Sequence, residues 1–292
     1  MGAHPGRSPP VTVLLRRQFL PALAILLLFA GLAFAAGWWF ARPAPDWFSA
    51  PTTYPAGAEG TLARYGRQLI DETNLHIGPG ASEAAMRFAG NNLTCGACHL
   101  DSGARRYGLP LVSSFAAFPR YLSDGSIQTL ADRINQCMEN SMNGRPLLED
   151  GREMAAFVAY IKLLGRGTPT GVEVRGTGLP PLTAPARTPN AVRGKVVYDR
   201  SCAACHRPDG LGERKGPTDS AGYTITPLWG PDSFNDDAGM ARLATAAAFV
   251  RGNMPYGVTA NEPLLETQDA WDVAAYVLAQ PRPGYKAGRP PK

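Results

Sequence analysis

The sequence predicts a mainly α-helical chain with two tandem domains of the same plan. The motif C-x-x-C-H occurs twice, as "CGACH" at 95–99 and "CAACH" at 202–206. Each copy is followed, in the same order, by a similar apolar stretch, "FVAYI" at 157–161 and "VAAYV" at 273–277. Apolar residues otherwise recur at helical spacing, and no run alternates long enough to predict a sheet. The repeated order of both motifs indicates an internal duplication of a whole domain.

Two stretches rich in Pro and Gly mark the domain boundaries. Residues 42–57, "RPAPDWFSAPTTYPAG", lack apolar periodicity and are expected to be a linker. Residues 165–190 are expected to be a second linker, between a first domain at 58–164 and a second domain at 191–282. The remaining residues, 283–292, are expected to form a frayed tail.

The N-terminal region predicts export. Arg7, Arg16 and Arg17 lie in residues 1–17, a predicted cytoplasmic tail, and precede the uncharged segment 18–41, "QFLPALAILLLFAGLAFAAGWWFA". A helix of this length spans a hydrocarbon layer of ~30 Å, and positive charge on its near side predicts that the N-terminus stays inside. The segment is a transmembrane anchor or a signal peptide. Both alternatives predict that the two domains are exported.

The charge of the chain limits its partners. The 292 residues carry a formal net charge of +5. The basic residues are scattered and form no Lys/Arg-rich run, so nucleic-acid binding is not expected. A positive surface suits small anions or an acidic redox partner.

Helical spacing predicts the elements around the candidate site. One helix is expected to follow an N-cap at Ser126. In the second domain, one helix is expected to start after Asp236 and stop at Gly252, and another to run from Thr267 to the residue before Pro281. On the helix expected after Ser126, one face is formed by Ile127, Leu130, Ile134, Cys137, Met138 and Ser141.

Each C-x-x-C-H motif predicts covalent attachment of one haem c. Two thiols at this spacing add to the porphyrin vinyl groups, and the adjacent histidine binds the iron. A tetrahedral zinc site is not expected, because a histidine that abuts the second cysteine is poorly placed for it. The expected attachment residues are Cys95, Cys98, Cys202 and Cys205, and the expected iron ligands are His99 and His206.

The sixth iron ligand of the second haem is predicted to be Met254. It lies in "RGNMPYG", where the expected helix stops and Pro255 fixes the loop. Met240 is the alternative, but it falls within the expected helix and is predicted to pack in the core.

The duplication gives a sequence distance, used here as a ruler, between the sixth iron ligand and the tyrosine of the last helix in each domain. Met254 precedes Tyr276 by the same number of residues as Met138 precedes Tyr160. Cys137 is one residue further away, and a difference of one residue is too small for the ruler to separate the two candidates.

Other ligands for the first haem stay open at this point. Met142 is four residues late on the ruler, and His76 is the remaining nitrogen ligand in this half. Cys137 also has Arg133 and Ser141 on its own helical face, which is expected to lower the pKa of the thiol and to bind an anion.

Five stretches between about residues 90 and 282 carry a family resemblance: "NNLTCGACHLDSG", "RINQCMENSMNGRPL", "PLWGPDSFNDDAGMARL", "NMPYG" and "DAWDVAAYV". They resemble the dihaem thiosulfate dehydrogenases, also called tetrathionate reductases, of the bacterial periplasm. The resemblance implies two class-I-like cytochrome c domains and two covalently bound haem c groups. It further implies His99 and Cys137 as ligands of the first iron, and His206 and Met254 as ligands of the second.

The reaction implied by the resemblance joins two thiosulfates into tetrathionate, with electrons leaving to an acceptor cytochrome c or a similar redox protein. Ligand identity orders the haems, since thiolate lowers and thioether raises the potential of an iron. Electrons are therefore expected to pass from the first haem to the second. The implied catalytic residues are Cys137, Arg133 and Ser141, with Arg120 as a further substrate arginine and Arg105 and Arg106 as its alternatives.

Two features depart from the family pattern. Some members have a lysine beside the second-haem methionine, where this chain has Asn253. Members are commonly soluble after signal removal, whereas segment 18–41 predicts an anchor.

Two rival functions use the same cofactors. A membrane-tethered dihaem carrier of electrons needs only inert ligands and leaves the face with Arg133, Cys137 and Ser141 without a role. A dihaem peroxidase needs a displaceable nitrogen ligand, which a chain with four histidines supplies poorly.

Overall fold

Short helices joined by long loops make up the chain in a computed structural model that describes residues 2, 27–32, 47–171 and 174–285. Residues from Trp47 onward form one compact unit. Its helices are α1 (Gly57–Asp71), α2 (Thr73–His76), α3 (Leu100–Gly103), α4 (Leu130–Asn140), α5 (Arg152–Leu164), α6 (Ala191–Ser201), α7 (Ala203–His206), α8 (Leu243–Asn253) and α9 (Thr267–Leu278). Its strands are β1 (Arg120–Tyr121), β2 (Ile127–Gln128), β3 (Glu213–Arg214) and β4 (Tyr223–Ile225).

The same helix crossing occurs in both halves. α1 packs on α5 in the first domain, and α6 packs on α9 in the second. Gly66 on α1 touches the α5 backbone beside Tyr160, and Gly194 on α6 touches the α9 backbone beside Tyr276. A side chain at either glycine would overlap a carbonyl of the opposite helix. The duplication predicted from the sequence is therefore present in three dimensions.

The cores of the two domains meet. The first core is built around the buried side chains of Leu69, Ile77, Val112, Met138 and Tyr160, and two residues of the second half, Phe234 and Ala238, pack into it. In the second domain, Tyr198, Trp229 and Tyr276 form an aromatic cluster with ring centroids 5.2 to 5.8 Å apart.

The predicted start of the Cys137 helix was wrong by one turn. α4 begins after Thr129, whose hydroxyl accepts from the Asp132 backbone N–H at 3.0 Å while the Asp132 carboxylate accepts from the Thr129 backbone at 2.8 Å. Ser126 instead bonds Asp124 in the preceding turn, and Ile127 lies in β2. The reciprocal pair satisfies two free helix N–H groups, an advantage that Ser126 lacks.

The helix predicted to start after Asp236 is divided in two. A 3-10 turn covers Gly239–Ala241, and α8 starts only at Leu243, because Arg242 has extended backbone between them. Met240 lies in that turn and packs against the core, as predicted.

The strands form two antiparallel hairpins, which the sequence did not predict. β1 pairs with β2 in the register Arg120↔Gln128 and Tyr121↔Ile127, and β3 pairs with β4. Strands of two or three residues are too short to show alternation.

The stretch predicted to link the domains lacks helix and strand wherever residues 165–190 are described, but it is tied to the first domain. Gly176 and Gly178 accept backbone hydrogen bonds from Tyr107 and Leu109, at 2.7 and 3.2 Å. The stretch therefore braces the loop that follows the first haem motif.

The predicted anchor, residues 18–41, lies outside the described residues except for 27–32, which are helical. Within the part of the chain that is described, no helix combines the length and hydropathy of a membrane span.

Candidate active site

The first cysteine pair is held by a threonine from α2. Cys95 opens a 3-10 turn, and its backbone N–H donates to the Thr73 hydroxyl at 3.0 Å. Thr73 in turn donates to the Leu69 carbonyl at 2.6 Å. Burial raises the pKa of Cys95 to about 12 and that of Cys98 to about 11, and the nearby Cys137 thiol contributes to both shifts. Both cysteines are thus neutral thiols beside a third sulfur.

His99 is oriented by a backbone carbonyl. Its Nδ1 lies 2.6 Å from the Leu109 carbonyl oxygen. A carbonyl only accepts, so Nδ1 carries the proton and Nε2 presents a lone pair. Burial lowers the pKa of His99, which favours this neutral form. The ring is therefore prepared to bind a metal through Nε2.

The second motif repeats this arrangement. His206 Nδ1 lies 2.9 Å from the Thr226 carbonyl oxygen, and burial lowers the pKa of the ring. Burial also raises the pKa of Cys202 to about 11, while Cys205 is exposed. Sequence reasoning missed both accepting carbonyls. Their shared signal is a following proline, since Leu109 and Thr226 each precede one.

α4 brings Cys137 to the first motif. Cys137 lies near enough to Cys95 and Cys98 for its thiol to act on the pKa of both. From the turn before it on α4, Arg133 acts electrostatically on Cys137 and on His99. The structure therefore places Cys137 near the cysteine pair, and Arg133 near both Cys137 and His99.

The expectation that its helical face lowers the pKa of Cys137 was wrong in sign. Burial raises the pKa of this thiol, and the opposing effect of the Arg133 charge is smaller. The free thiol is therefore protonated at neutral pH, and deprotonation requires a stronger positive charge than Arg133, such as a bound metal ion.

The alternative ligands of the first haem have other surroundings. Met138 and Met142 are buried in the core, at 1% and 3% exposure, whereas Cys137 is half-buried. His76 Nε2 lies 3.2 Å from a Glu72 carboxylate oxygen, and its ring stands on edge against Tyr65. These contacts favour Cys137 among the candidates that the ruler left open.

Arg120 is connected to Arg133 by two glutamines. Arg120 Nε and Nη2 donate to Gln128 Oε1 at 3.1 and 2.8 Å. Gln128 Nε2 donates to Gln136 Oε1 at 3.4 Å, and Arg133 Nη1 donates to the same oxygen at 2.8 Å. Sequence reasoning predicted neither glutamine. Gln136 could have been found because it directly precedes Cys137, whereas nothing in the sequence around Gln128 indicates a role in the site.

The alternative arginines face other contacts, and Ser141 ends the helix. Arg105 Nη2 donates to the Val258 carbonyl at 2.6 Å, and Arg106 lies over the Phe48 ring. Ser141 is the C-cap of α4, with its N–H on the Cys137 carbonyl at 2.9 Å. Among the predicted substrate arginines, Arg120 is the one that these hydrogen bonds connect to Arg133.

Helix α8 ends at Asn253, one residue later than the predicted stop at Gly252. Met254 follows it with extended backbone. Its neighbour Asn253 is 1% exposed and donates through Nδ2 to the carbonyls of Tyr107 and Phe249, at 3.0 and 3.2 Å. The residue that replaces the family lysine thus ties the Met254 loop to the first domain.

Comparison with known proteins places the chain in a family. The family model for the SoxA/TsdA cytochrome c domain matches residues 85–170, and the cytochrome c model matches residues 191–281. A thiosulfate dehydrogenase of Allochromatium vinosum is 39% identical over 235 residues, which cover 78% of this chain and 81% of that protein. One from Stutzerimonas stutzeri is 36% identical over 230 residues, covering 78% and 70%. The chain belongs to the thiosulfate dehydrogenase family.

A solved structure agrees with this membership in the thiosulfate dehydrogenase family. The thiosulfate dehydrogenase TsdBA from Marichromatium purpuratum, in its as-isolated form, matches with a TM-score of 0.72 and 36% identity over 83% of this chain. The chain spans about half of that longer one, 52%. The prediction of a mainly helical oxidoreductase with two cytochrome c domains is confirmed.

The residues of both motifs fit covalently bound haem c. Each offers two thiols three residues apart and an imidazole with its metal-binding nitrogen free, which is the donor set that haem c requires. Among the described residues, no three His, Cys, Asp or Glu side chains converge as a site for a bare metal ion would need.

Proposed function

We propose that this protein oxidises two thiosulfate ions to tetrathionate at the first-domain site. The observation that carries the proposal is the position of Cys137, half-buried near Cys95 and Cys98, with Arg133 one helical turn away. A third cysteine sulfur at the first haem motif, next to a fixed positive charge, suits a reaction in which a sulfur anion is the substrate.

The positive charges of the arginines offset the electrostatic repulsion between the two thiosulfate ions. Each thiosulfate carries two negative charges, and bringing two of them into sulfur contact costs several kcal/mol outside a site that offsets the charge. Arg133 and Arg120 supply planar guanidinium groups that suit sulfonate oxygens. The amides of Gln128 and Gln136 keep both groups in place through hydrogen bonds of 2.8 to 3.4 Å. Ser141, the C-cap of α4, adds a hydroxyl.

Cys137 divides the reaction into two steps. In the first step the Cys137 thiolate sulfur would bond to the terminal sulfur of one thiosulfate, with the release of two electrons to an acceptor. In the second step another thiosulfate attacks the sulfur bound to Cys137, so that tetrathionate forms and the Cys137 thiolate departs. Two thiosulfates thus yield one tetrathionate and two electrons, and the cysteine is regenerated.

We assign two haem c groups to the chain, one on each cysteine pair. Haem, when bound, accepts electrons singly and passes them on. His99 and Cys137 are the proposed iron ligands in the first domain, and His206 and Met254 are those in the second. A thiolate at Cys137 and a thioether at Met254 favour electron flow from the first domain to the second. An acceptor cytochrome c, or a similar redox protein, then receives the electrons.

The test is reduction of the purified holoprotein by thiosulfate, compared with Cys137→Ala. The wild type is expected to be reduced by thiosulfate, and the variant to lose this while it keeps both haems. If thiosulfate does not reduce the wild type and tetrathionate does not oxidise its reduced form, the protein is a carrier of electrons and not a thiosulfate dehydrogenase.

We also propose that both domains function on the periplasmic side of the inner membrane. Arg7, Arg16 and Arg17 ahead of the apolar segment 18–41 support this orientation. Detergent-dependent extraction, together with an N-terminus that still includes this segment, would demonstrate an anchor. A mature N-terminus beyond residue 41 would show that the segment is a cleaved signal peptide.

A further inference from the structure

The C-terminal end of α4 is completed by the other domain. The last carbonyls of a helix have no partner within it and must be satisfied from outside. Those of Cys137 and Met138 accept from N–H groups that follow shortly in the chain. Those of Glu139 and Asn140 accept instead from Asn235, through its side-chain Nδ2 at 3.0 Å and its backbone N–H at 3.2 Å. One residue of the second domain therefore caps two carbonyls of the Cys137 helix.

The orientation of the Asn235 amide is fixed by its other contact. Asn235 Oδ1 accepts from the Asp237 backbone N–H at 3.1 Å, so that Nδ2 is the end that faces Glu139. Asp237 closes the arrangement, because its carboxylate accepts from Asn140 Nδ2 at 2.9 Å. Asn235 is only 2% exposed. Its amide is thus held in the one orientation that donates to the helix end.

The segment that presents Asn235, residues 233–238, is itself anchored in the first domain. Phe234 and Ala238 are buried in the first core. The Ser233 carbonyl accepts from Asn143 Nδ2 at 2.6 Å, just beyond the end of α4. The segment belongs to "PLWGPDSFNDDAGMARL", a stretch that none of the proposed ligands or substrate residues explains. Its anchoring makes Asn235 a fixed support for the helix.

We propose that Asn235 is a positioning residue for Cys137. The inference rests on the proposed function of Cys137 as a reactive iron ligand. Cys137 lies less than one turn from the capped end, so the direction of its side chain depends on how that last turn is held. By capping Glu139 and Asn140, Asn235 keeps the thiol directed at the first haem site only while the two domains are packed together.

The test compares holoprotein variants at Asn235 with a control at the same domain interface. Asn235→Ala removes the donor to Glu139 and the acceptor for Asp237. Asn235→Asp keeps the acceptor but removes the donor. It therefore distinguishes loss of the hydrogen bond to Glu139 from loss of the turn that Asn235 forms with Asp237. Asn92→Ala is the control, because the Asn92 side-chain Nδ2 donates to the Asp232 carboxylate across the same interface at 3.1 Å and, within the described residues, makes no hydrogen bond to α4.

Two measurements apart from turnover report on position. Amide hydrogen exchange at residues 137–142 is expected to rise by about tenfold in both Asn235 variants, the factor that loss of one buried hydrogen bond typically produces. The thiolate signature of the first haem in magnetic circular dichroism is expected to weaken in the same variants and to persist in Asn92→Ala. Thiosulfate turnover is expected to fall by about tenfold in kcat with a smaller change in KM, since a reacting group misplaced by ~1 Å can cost up to about 100-fold.

The outcomes separate this inference from the proposed function. Asn235 variants that keep the wild-type exchange and thiolate signature would overturn the positioning role. The same result in Asn235→Ala and Asn92→Ala would also overturn it, because loosening of the interface would then be the cause. A wild type with a thiolate signature but no reaction with thiosulfate would overturn the proposed reaction alone. A wild type without that signature would overturn both.

Discussion

Arg133 on α4 and Arg120 on β1 are joined through the side chains of Gln136 and Gln128. The hairpin register places Arg120 opposite Gln128, and Gln136 lies three residues after Arg133 on the same helix. Each arginine donates to one glutamine, at 2.8 Å in both cases, and the glutamines meet at 3.4 Å. Two guanidinium groups from distant parts of the first domain are thereby held in one network.

Arg133→Lys keeps the positive charge but removes the planar group that donates to Gln136. We expect kcat/KM for thiosulfate to fall by about 10- to 100-fold, because an ammonium replaces bidentate geometry with a point charge. Steady-state thiosulfate oxidation measures this. Arg64→Lys is the control, since Arg64 is exposed on α1 and its guanidinium carbon lies 5.2 Å from the centroid of the Tyr54 ring. An equal loss in both variants would point to net charge instead of geometry.

Gln128→Leu is expected to release Arg120 from the network. Arg120→Ala should then cost less in the Gln128→Leu background than in the wild type, because the two residues act together. A double-mutant cycle on kcat/KM should give a coupling of about 0.5 to 3 kcal/mol, the usual range for residues of one hydrogen-bond network. Strictly additive effects would show that Arg120 acts without Gln128.

Gly66→Ala is expected to destabilise the first domain by about 3 kcal/mol or more, a size typical of steric overlap in a core. The added Cβ would overlap the Ala156 carbonyl where α1 crosses α5. Gly239→Ala is the matched control, since a Cβ there meets nothing within 4 Å. Guanidinium unfolding of the holoproteins measures both. A small effect at Gly66 would mean that the helices separate without penalty.

Asp272→Asn is expected to lower the free energy of unfolding at neutral pH by about 1 to 3 kcal/mol. Burial raises the pKa of Asp272, but hydrogen bonds from Arg187, Asn190 and Gln268, with the Arg187 charge, outweigh it and leave the pKa below its ordinary value. Asp272 is 1% exposed, and its carboxylate lies 2.6 Å from Arg187.

This lowered pKa also sets a pH dependence. A carboxyl with a lower pKa in the folded state stabilises the protein above its unfolded pKa of about 3.9, and the contribution is lost as the pH falls through the folded pKa. The difference between wild type and Asp272→Asn should therefore narrow below about pH 4. Asp199→Asn, which breaks an exposed pair with Lys195, should leave stability nearly unchanged at every pH. A difference at Asp272 that does not depend on pH would contradict the ion-pair explanation.

The sequence could predict features that are local in the chain. The two C-x-x-C-H motifs and the repeated order of "FVAYI" and "VAAYV" lie in contiguous residues, so spacing alone shows them. The choice between Cys137 and Met138 was beyond this kind of reasoning, because one residue turns a side chain by about 100° around a helix. Packing favours Cys137, because Met138 is buried in the core whereas Cys137 is half-buried.

Other features depend on parts of the chain that meet only after folding. Gln128 joins the site through the pairing of two short strands, and Asn235 joins it through packing between domains. Neither position has a local signal of its role. The choice of Thr129 over Ser126 as N-cap depended on Asp132, whose carboxylate returns the hydrogen bond.

The most direct test of the proposed chemistry is low-temperature magnetic circular dichroism of the oxidised holoprotein, recorded for the wild type and for Cys137→Ala. A thiolate-to-iron signature in the wild type that disappears in the variant is the expected result. A wild type whose first haem has only methionine or histidine as its sixth ligand, with the same spectrum in Cys137→Ala, would contradict it.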